Sequence, residues 1–318
     1  MDVGGATTDV FSMIDSEFYR TVSANLGMSY SMGNVLAEAT PAMVLRWLPF
    51  EADENIVRNW NFNKMIRPTG LPHTFQELML EQAVCKEALR LSLEHHKSLI
   101  RGLKGVRQQR GLGDIFRQAA TGDTLVDMME IKVMIGTGGA LSYAPRRSQA
   151  AMILLDGLQP EGITHLYVDS WFLLPHMGVL MDIDKDVARE LIEKETLIPL
   201  GTCIAPVGPQ ASPGRTIARV TVGGDTYDVV SGALQVIDLE DGGQGGIEVV
   251  PHREFDVGGG PGRPVSEKLP GGVTRLILDG RGRPLEFPKD VTSARRTVAR
   301  WYHALGAYPS HTLKGLEV

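Results

Sequence analysis

The chain has 318 residues, 43% of them apolar and 22% charged, which are ordinary values for a globular protein long enough to form two compact units. Its formal net charge of -6 argues against broad binding to nucleic acid, which needs a basic face. No run approaches the roughly 20 apolar residues of a membrane span, and no signal peptide is visible. Two widely separated cysteines make no disulfide framework. We therefore expect a cytoplasmic protein that binds neither nucleic acid nor membrane.

The first predicted element is a β-hairpin. Thr7–Ile14 and Phe18–Val22 are β-prone runs, and the polar pair Asp15-Ser16 separates them as a turn. The first thirty residues are therefore predicted to form a strand pair that ends in a loop at residues 25–28.

The next hundred residues are predicted to be mostly helical. Thr74 has the chemistry of an N-cap, and Glu77 three residues later completes a capping box. The helix that this pair begins carries its apolar residues roughly along one face and is expected to end near Gly102. A second helix is predicted from Asp114 to Glu130.

A strand, a glycine loop and a helix are predicted next, in that order. The β-branched run 131–135 stops at the sequence Gly-Thr-Gly-Gly of residues 136–139, and a helix is predicted around residues 148–155. This succession is typical of a ligand-binding loop in an α/β fold. Another strand is predicted at 165–168, and Asp184 is the predicted N-cap of a helix that runs to about residue 197.

The composition changes near residue 200, where glycine, proline and short β-branched runs become frequent. Turn signals separate these runs, as in a small all-β sandwich or barrel. A helix at 291–305, with Trp301 and Tyr302 on its buried face, is predicted to close the chain. We therefore predict two domains, 1–199 and 200–318. The predicted strands of the second domain are 204–207, 216–222, 227–230, 234–239, 247–250 and 273–278.

The first of two glycine motifs reads Asp-Val-Gly-Gly-Ala-Thr-Thr-Asp at residues 2–9. Adjacent glycines let backbone N–H groups approach phosphate oxygens without a Cβ in the way, and the threonine hydroxyls can add donors. The two carboxylates would repel phosphate unless Mg²⁺ lies between, held through its waters, or unless one orients an attacking water. A plain turn with solvated carboxylates is the alternative interpretation.

The second motif is the glycine loop at residues 136–139. After a buried strand, such a loop permits close backbone approach to a flat ligand or a phosphate. Glycine turns after strands are also common without any ligand, so this motif alone leaves both interpretations open.

The two motifs in this order resemble the second lobe of the actin, sugar-kinase and heat-shock-chaperone ATPase superfamily. The resemblance implies an α/β fold in which a ribonuclease-H-like, actin-type ATPase lobe is followed by a small β-rich domain, with ATP and Mg²⁺ as cofactors. It makes Asp2 and Asp9 the catalytic carboxylates and puts Asp2 at the Mg²⁺ through water. It assigns the phosphates to Gly4, Gly5, Thr7 and Thr8, and the adenosine to Gly136, Thr137, Gly138 and Gly139.

Within that superfamily, the sequence most specifically resembles the glutamate mutase accessory family called MutL or GlmL. Residues 4–12, 20–22, 25–28, 136–139 and 177–180 carry this resemblance. The similarity covers about residues 1–197, and residues 276–285 resemble part of the extension in longer members. The family implies an ATP-binding, chaperone-like protein that reactivates an adenosylcobalamin-dependent mutase such as glutamate mutase. Subunits of that mutase would then be the partners.

Two departures from the superfamily pattern affect this hypothesis. Asn25 stands where an aspartate is expected, and the first phosphate motif with its whole lobe is absent. We expect the chain to be the C-terminal part of a longer protein, or else a natural half-protein whose partner supplies an equivalent of the missing N-terminal lobe. Because a single lobe lacks half of the groups that position water and stabilise charge, we predict negligible ATPase activity for this chain alone.

Three other groups of residues have two interpretations each. The pair His95-His96 is read as a solvated helix face rather than a metal site, since no ligand lies one helical turn away. Asp169 follows a strand and is read as a loop cap, with a place at the nucleotide site as the alternative. The tail's arginines are read as a solvated face or as a docking site for an acidic partner. They are Arg281, Arg283, Arg295, Arg296 and Arg300.

Two other functions stay open. A non-catalytic scaffold could keep an actin-like fold and hold mutase subunits together without turning over nucleotide. An activator of the 2-hydroxyacyl-CoA dehydratase type shares the fold but needs cysteines for an iron–sulfur cluster. Cys85 in a predicted helix and Cys203 in the tail fit that role poorly.

Overall fold

A computed structural model describes residues 1–101, 124–239 and 245–313. The chain begins with a three-stranded antiparallel sheet of β1 (Asp2–Val3), β2 (Thr8–Ile14) and β3 (Glu17–Ser23). Asp15 and Ser16 join β2 to β3 with φ of 50° and 67°, the paired left-handed conformation that two-residue hairpin turns adopt. The predicted hairpin is confirmed.

A helical layer packs against this sheet. It consists of α1 (Met32–Ala39), α2 (Pro41–Leu45), α3 (Glu54–Ile66) and α4 (Phe75–Leu99). Thr74 and Glu77 form the predicted capping box, and α4 ends three residues before the expected Gly102. Of the second predicted helix, residues 114–123 lie outside the described part of the chain, and residues 124–130 form a bridge and turns instead of a helix.

The predicted strand, glycine loop and helix are also present. They are β4 (Val133–Gly136), the short helix α5 (Gly139–Ser142), α6 (Arg147–Leu158) and β5 (Gly162–Asp169). A helical excursion follows, with α7 (Leu174–Met181), α8 (Lys185–Leu191) and a π-helical turn at Ile192–Thr196. Asp184 caps α8 as predicted, because its side chain accepts from the N–H groups of Asp186 and Val187.

The rest of the described chain is rich in strands, as its composition predicted. The strands are β6 (Leu197–Ala205), β7 (Thr216–Val222), β8 (Asp225–Val230), β9 (Leu234–Asp238), β10 (Gly246–Pro251), β11 (Val265–Lys268) and β12 (Arg275–Asp279). They are followed by α9 (Val291–Ala304), where Trp301 and Tyr302 are buried as predicted.

A single backbone bridge joins the first sheet to a second one. Asp2 pairs in parallel with Thr137, just beyond β4, through the bonds Val3 N–H to Thr137 O (3.0 Å) and Thr137 N–H to Met1 O (2.9 Å). The bridge places β1 beside β4, and β4 pairs in parallel with β5. The strands therefore follow the order β3-β2-β1-β4-β5. Beyond β5 the second sheet continues with β6, β12 and β9.

The five-stranded sheet separates two hydrophobic cores. Leu166 of β5 and Ile277 of β12 face the larger core, which also contains buried residues of α4, α6 and α9. Ile163 and Leu276, on the same two strands, face the smaller core, which the sheet β11-β10-β7-β8 covers. The division into domains 1–199 and 200–318 stays a prediction, but strands from both sides of residue 199 share one sheet and both cores.

A buried ion-pair cluster ties the tail to the helical layer. The Arg281 guanidinium, with its side chain fully buried, donates to Asp279 (2.8 Å) and to Asp156 of α6 (2.7 Å), and Lys86 of α4 also contacts Asp156 (2.7 Å). Arg283 adds a bond to Asp279. The interpretation of the tail's basic residues as a solvated face was therefore wrong for Arg281 and Arg283, because these two arginines neutralise carboxylates inside the protein.

The interpretation of His95-His96 as a solvated face was wrong for His96. Its imidazole is fully buried between α4 and the hairpin, where Nδ1 lies 2.9 Å from Thr21 Oγ1 and Nε2 lies 2.8 Å from Ser12 Oγ. His95 is exposed, and its ring contacts Ser23 Oγ at 3.0 Å. Burial lowers the pKa of His96 to about 4, and the nearby His95 and N-terminal ammonium add to that effect.

The buried His96 should make the stability of the fold decrease in acid. The unfolded chain protonates His96 near its ordinary pKa of 6.5, whereas the folded protein holds that pKa at about 4, so the unfolded state binds more protons in this window. Above pH 6.5 this histidine does not change the free energy of unfolding. Below pH 6.5 the free energy of unfolding decreases, by about 2 kcal/mol at about pH 4.5. Urea unfolding at about pH 7 and about pH 4.5 measures the loss. His96→Gln should reduce the difference, and an unchanged difference would assign it to other groups.

Candidate functional site

A cavity of about 850 Å³ lies between the two glycine motifs. The volume falls in the range typical of small-molecule sites. Gly4 and Gly5 line it from the hairpin side, Gly139 and Ala140 line it from α5, and the loop before α4 closes a third side. The remaining lining residues are Val3, Met28, Ser29, Lys64, Pro68, Thr69, Gly70, Leu71, Pro72, His73, Thr74, Phe75, Leu78, Glu81, Gln82, Tyr143, Ala144 and Pro145.

The first glycine turn is shaped by the loop that follows the hairpin. The Gly4 N–H donates to Thr7 O (2.9 Å), and the Gly5 carbonyl accepts from the N–H groups of Ser29 and Tyr30 (2.9 Å each). A Cβ on Gly5 would lie 2.6 Å from Ser29 Oγ, so a larger residue would have to displace the hydroxyl that donates to the Gly5 carbonyl. Among the described residues, the N–H groups of Gly5 and Ala6 have no acceptor, which leaves these two donors free for a ligand.

The second glycine turn packs directly on β1. Gly138 has φ of +99°, and a Cβ there would lie 2.2 Å from the Val3 carbonyl oxygen. Gly136 lies against the side chains of Leu141 and Leu154, whereas a Cβ on Gly139 would meet nothing within 4 Å. Gly136 and Gly138 therefore hold the backbone in place, and Gly139 is the glycine of this loop that borders the cavity.

Three carboxylates lie where the two turns meet. Asp2 is the register partner of Asp9 on one side and of Thr137 on the other, and the Thr137 hydroxyl donates to Asp169 Oδ2 (2.8 Å). Burial raises the pKa of Asp2, the N-terminal ammonium partly offsets this, and Asp9 and Asp169 raise the pKa further. Asp2 Oδ1 is buried and has no hydrogen-bond partner among the described residues.

These carboxylates suit a hydrated cation better than a directly chelated one. No group of three or more His, Cys, Asp or Glu side chains within the described ranges could hold a metal ion by itself. The orphaned Asp2 oxygen and the all-oxygen chemistry of the cluster fit Mg²⁺, which keeps several of its waters. Asp2 would hold such an ion, with Asp9 and Asp169 adding negative charge.

Several of the predicted phosphate and catalytic residues already have partners inside the protein. The Thr8 hydroxyl is buried and donates to Leu26 O, so its assignment to phosphate stays a prediction with a competing bond. Asp9 Oδ1 accepts from Arg20 at 2.8 Å, and the Thr7 hydroxyl lies 3.4 Å from Asp9 Oδ2. Of the predicted residues, Gly4, Gly5 and Gly139 line the cavity, and Asp2 keeps a buried carboxylate oxygen without a partner among the described residues.

The structure brings Asp169 to the same place. Its carboxylate accepts from the N–H groups of Leu173 (2.8 Å) and Leu174 (3.1 Å), which confirms the loop cap. It also raises the pKa of Asp2, so the two interpretations of this residue are compatible.

Sequence reasoning missed the cavity wall formed by α3, α4 and the loop between them. Lys64 lies in that wall, and its ammonium donates to Glu81 Oε1 (2.8 Å) and to Gly70 O (2.5 Å). The capping box at Thr74 located the start of α4, but nothing in the local pattern indicated that this helix end would lie opposite both glycine turns.

Fold and site together define the class: a mixed α/β protein with a ligand-sized cavity between two glycine turns, and with three carboxylates where those turns meet. The chain belongs to the MutL protein family, whose sequence profile matches residues 1–196. This confirms the narrower of the two resemblances read from the motifs.

One curated relative is Protein MutL of Clostridium tetanomorphum, 25% identical over 219 residues. The alignment covers 61% of this chain and 44% of that relative, so the chain spans less than half of the relative's length. No solved structure matches the chain. No helix in the described ranges is long and apolar enough to cross a membrane.

Proposed function

We propose that the chain is the ATP-binding, actin-like lobe of a chaperone-like accessory protein that reactivates an adenosylcobalamin-dependent mutase such as glutamate mutase. ATP with Mg²⁺ would bind in the cavity between the glycine turns, and the mutase subunits would be the protein partners, in the cytoplasm. The membership in the MutL protein family supports the mutase part of the proposal.

One observation is the main support for the proposal that the cavity binds a nucleotide. Backbone hydrogen bonds join the two glycine turns across the Asp2–Thr137 bridge, so both turns border one cavity from the same edge of the sheet. The strand order β3-β2-β1-β4-β5, with β1, β4 and β5 parallel, supports a ribonuclease-H-like lobe. In such a sheet, ligands bind beyond the carboxyl ends of the parallel strands, where these turns lie.

Replacing Asp2 by asparagine is expected to weaken binding of Mg-ATP about tenfold, because the variant loses the charge that holds the hydrated cation. Isothermal titration with and without Mg²⁺ measures this. Asp182→Asn, at an exposed carboxylate that does not line the cavity, is the matched control and should bind like the wild type. Equal Mg-ATP affinity for Asp2→Asn and the wild type would contradict the role of Asp2.

We expect negligible ATP hydrolysis by this chain alone. Among the described residues that line the cavity, Lys64 is the one with a permanent positive charge, and Glu81 already neutralises it. Phosphoryl transfer depends on positioned cations that stabilise the developing charge, so binding without turnover is the expected result. A phosphate-release assay checks this, and robust Mg²⁺-dependent hydrolysis would contradict it.

A non-catalytic scaffold for mutase subunits is the second candidate. This candidate is favoured because the side chains of Thr8 and Asp9, two residues assigned to nucleotide chemistry, already form hydrogen bonds within the protein. Titration of the wild type with Mg-ATP separates the two, because a scaffold would still bind mutase subunits in a pull-down but would show no heat of nucleotide binding.

A further inference from the structure

The C-terminal segment of residues 306–311, which we name the brace segment, contacts two of the segments that form the walls of the cavity. It follows α9, and Gly306 (φ +64°) turns the chain back towards α4 and α6. Its residues lie beyond the span 1–196 that matches the MutL protein family. Family membership therefore says nothing about its role.

The first wall that the brace segment contacts is the N-terminal part of α4. The Tyr308 hydroxyl donates to Gln82 Oε1, and the His311 ring meets the Phe75 ring edge-on, with centroids 6.1 Å apart. Gln82 and Phe75 both line the cavity. Gln82 is buried, and its Nε2 has no partner among the described residues, so a hydrogen-bond acceptor on a ligand would satisfy this donor.

The second wall is the loop between α5 and α6. The Gly306 carbonyl accepts from Arg146 Nη1 (3.2 Å) and from Ser148 Oγ (2.9 Å). Arg146 directly follows Ala144 and Pro145, which line the cavity. The same short segment thus bonds to a lining residue of the first wall, Gln82, and to the residue that directly follows the lining pair Ala144-Pro145 of the second.

The brace segment is itself held firmly. Ala307 is fully buried, and its N–H donates to Tyr302 O (2.9 Å). The rings of Tyr302 and Tyr308 pack with centroids 5.2 Å apart, and Leu313 just beyond the segment is fully buried. A rigid element that contacts two walls fixes the distance between them.

We propose that the brace segment sets the width of the cavity and that Tyr308 is a positioning residue, acting on the ligand through Gln82. The cavity would then be incomplete without residues that lie outside the family span. Only the identity of the ligand rests on the proposed nucleotide function. The geometry of the walls does not.

Tyr308→Phe tests this, because it keeps the ring and removes the hydroxyl. In the ligand-free full chain, backbone amides of residues 67–82 should exchange hydrogen about fivefold faster, and the affinity for Mg-ATP should fall about fivefold, as expected for one lost hydrogen bond. Hydrogen-exchange mass spectrometry and isothermal titration measure the two effects.

Tyr302→Phe is the matched control. Tyr302 is also a buried tyrosine on the same part of the chain, but its hydroxyl donates to Trp47 O (2.7 Å) and accepts from Lys86 (2.8 Å), and neither of these residues lines the cavity. Because it removes two buried hydrogen bonds, it should lower the thermal midpoint at least as much as Tyr308→Phe, while leaving exchange in residues 67–82 and nucleotide affinity unchanged. Unchanged exchange in Tyr308→Phe, or equal changes in both variants, would overturn the brace. Faster exchange confined to Tyr308→Phe, with no ATP binding by the wild type, would support the role of the brace segment and contradict the proposed nucleotide function.

Discussion

Replacing Gly138 by alanine is expected to destabilise the protein by about 3–5 kcal/mol and to separate β1 from β4. Gly138 has φ of +99° and ψ of 161°, a region of backbone conformation that is essentially reserved for glycine. The added Cβ would also lie 2.2 Å from Val3 O, a backbone atom that cannot move without breaking the bridge between Val3 and Thr137. Urea unfolding followed by tryptophan fluorescence measures the loss.

The adjacent glycine supplies the control for this variant. A Cβ on Gly139 would meet nothing within 4 Å, and this residue begins α5, where alanine is a better helix former than glycine. Gly139→Ala should therefore have an unfolding midpoint close to that of the wild type. Similar midpoints for the two variants would mean that β1 does not pack on the second glycine turn as described.

Replacing Arg281 by methionine is expected to cost about 3–5 kcal/mol of stability. The variant would leave Asp156 and Asp279 buried with only Lys86 and Arg283 to neutralise them, and the remaining donors cannot replace the lost bonds. The Arg281 guanidinium holds the pKa of Asp279 well below its usual range, together with Arg283 and against the effect of burial. Urea unfolding of the full chain is the measurement.

Arg275→Met is the matched control because Arg275 lies on the neighbouring strand β12 and also pairs with an aspartate, Asp238, at 2.9 Å. That pair is exposed to solvent, so its loss should cost no more than about 1 kcal/mol. If the two variants unfolded at the same urea concentration, the buried cluster would not be the link between the tail and the helical layer.

The elements with short-range signals were the ones that could be predicted. The turn at Asp15-Ser16, the capping box at Thr74 and the cap at Asp184 are each decided by bonds within a few residues, and each is present. Alternation and β-branching likewise located most of the strands after residue 200. Local hydrogen bonds and backbone propensity suffice for such elements.

The burial of polar and charged side chains could not be predicted in this way. His96 and Arg281 were read as solvated because polar residues usually are. Each is buried by a partner far along the chain: Thr21 and Ser12 for His96, and Asp156 for Arg281. A buried polar group needs a hydrogen-bond partner and a buried charge needs an opposite charge, and no local pattern shows which distant residue supplies either.

The sequence by itself determined the two glycine motifs, the hairpin, the capped helix α4, the strand, glycine loop and helix at the second motif, and membership in the MutL protein family, because these depend on residue types and spacings along the chain. Only the tertiary structure decided that the two glycine turns border one cavity, that the α3–α4 loop closes it, and that residues 306–311 contact two of its walls. These relations join segments up to 226 positions apart, from Gln82 to Tyr308, and depend on how sheets and helices pack.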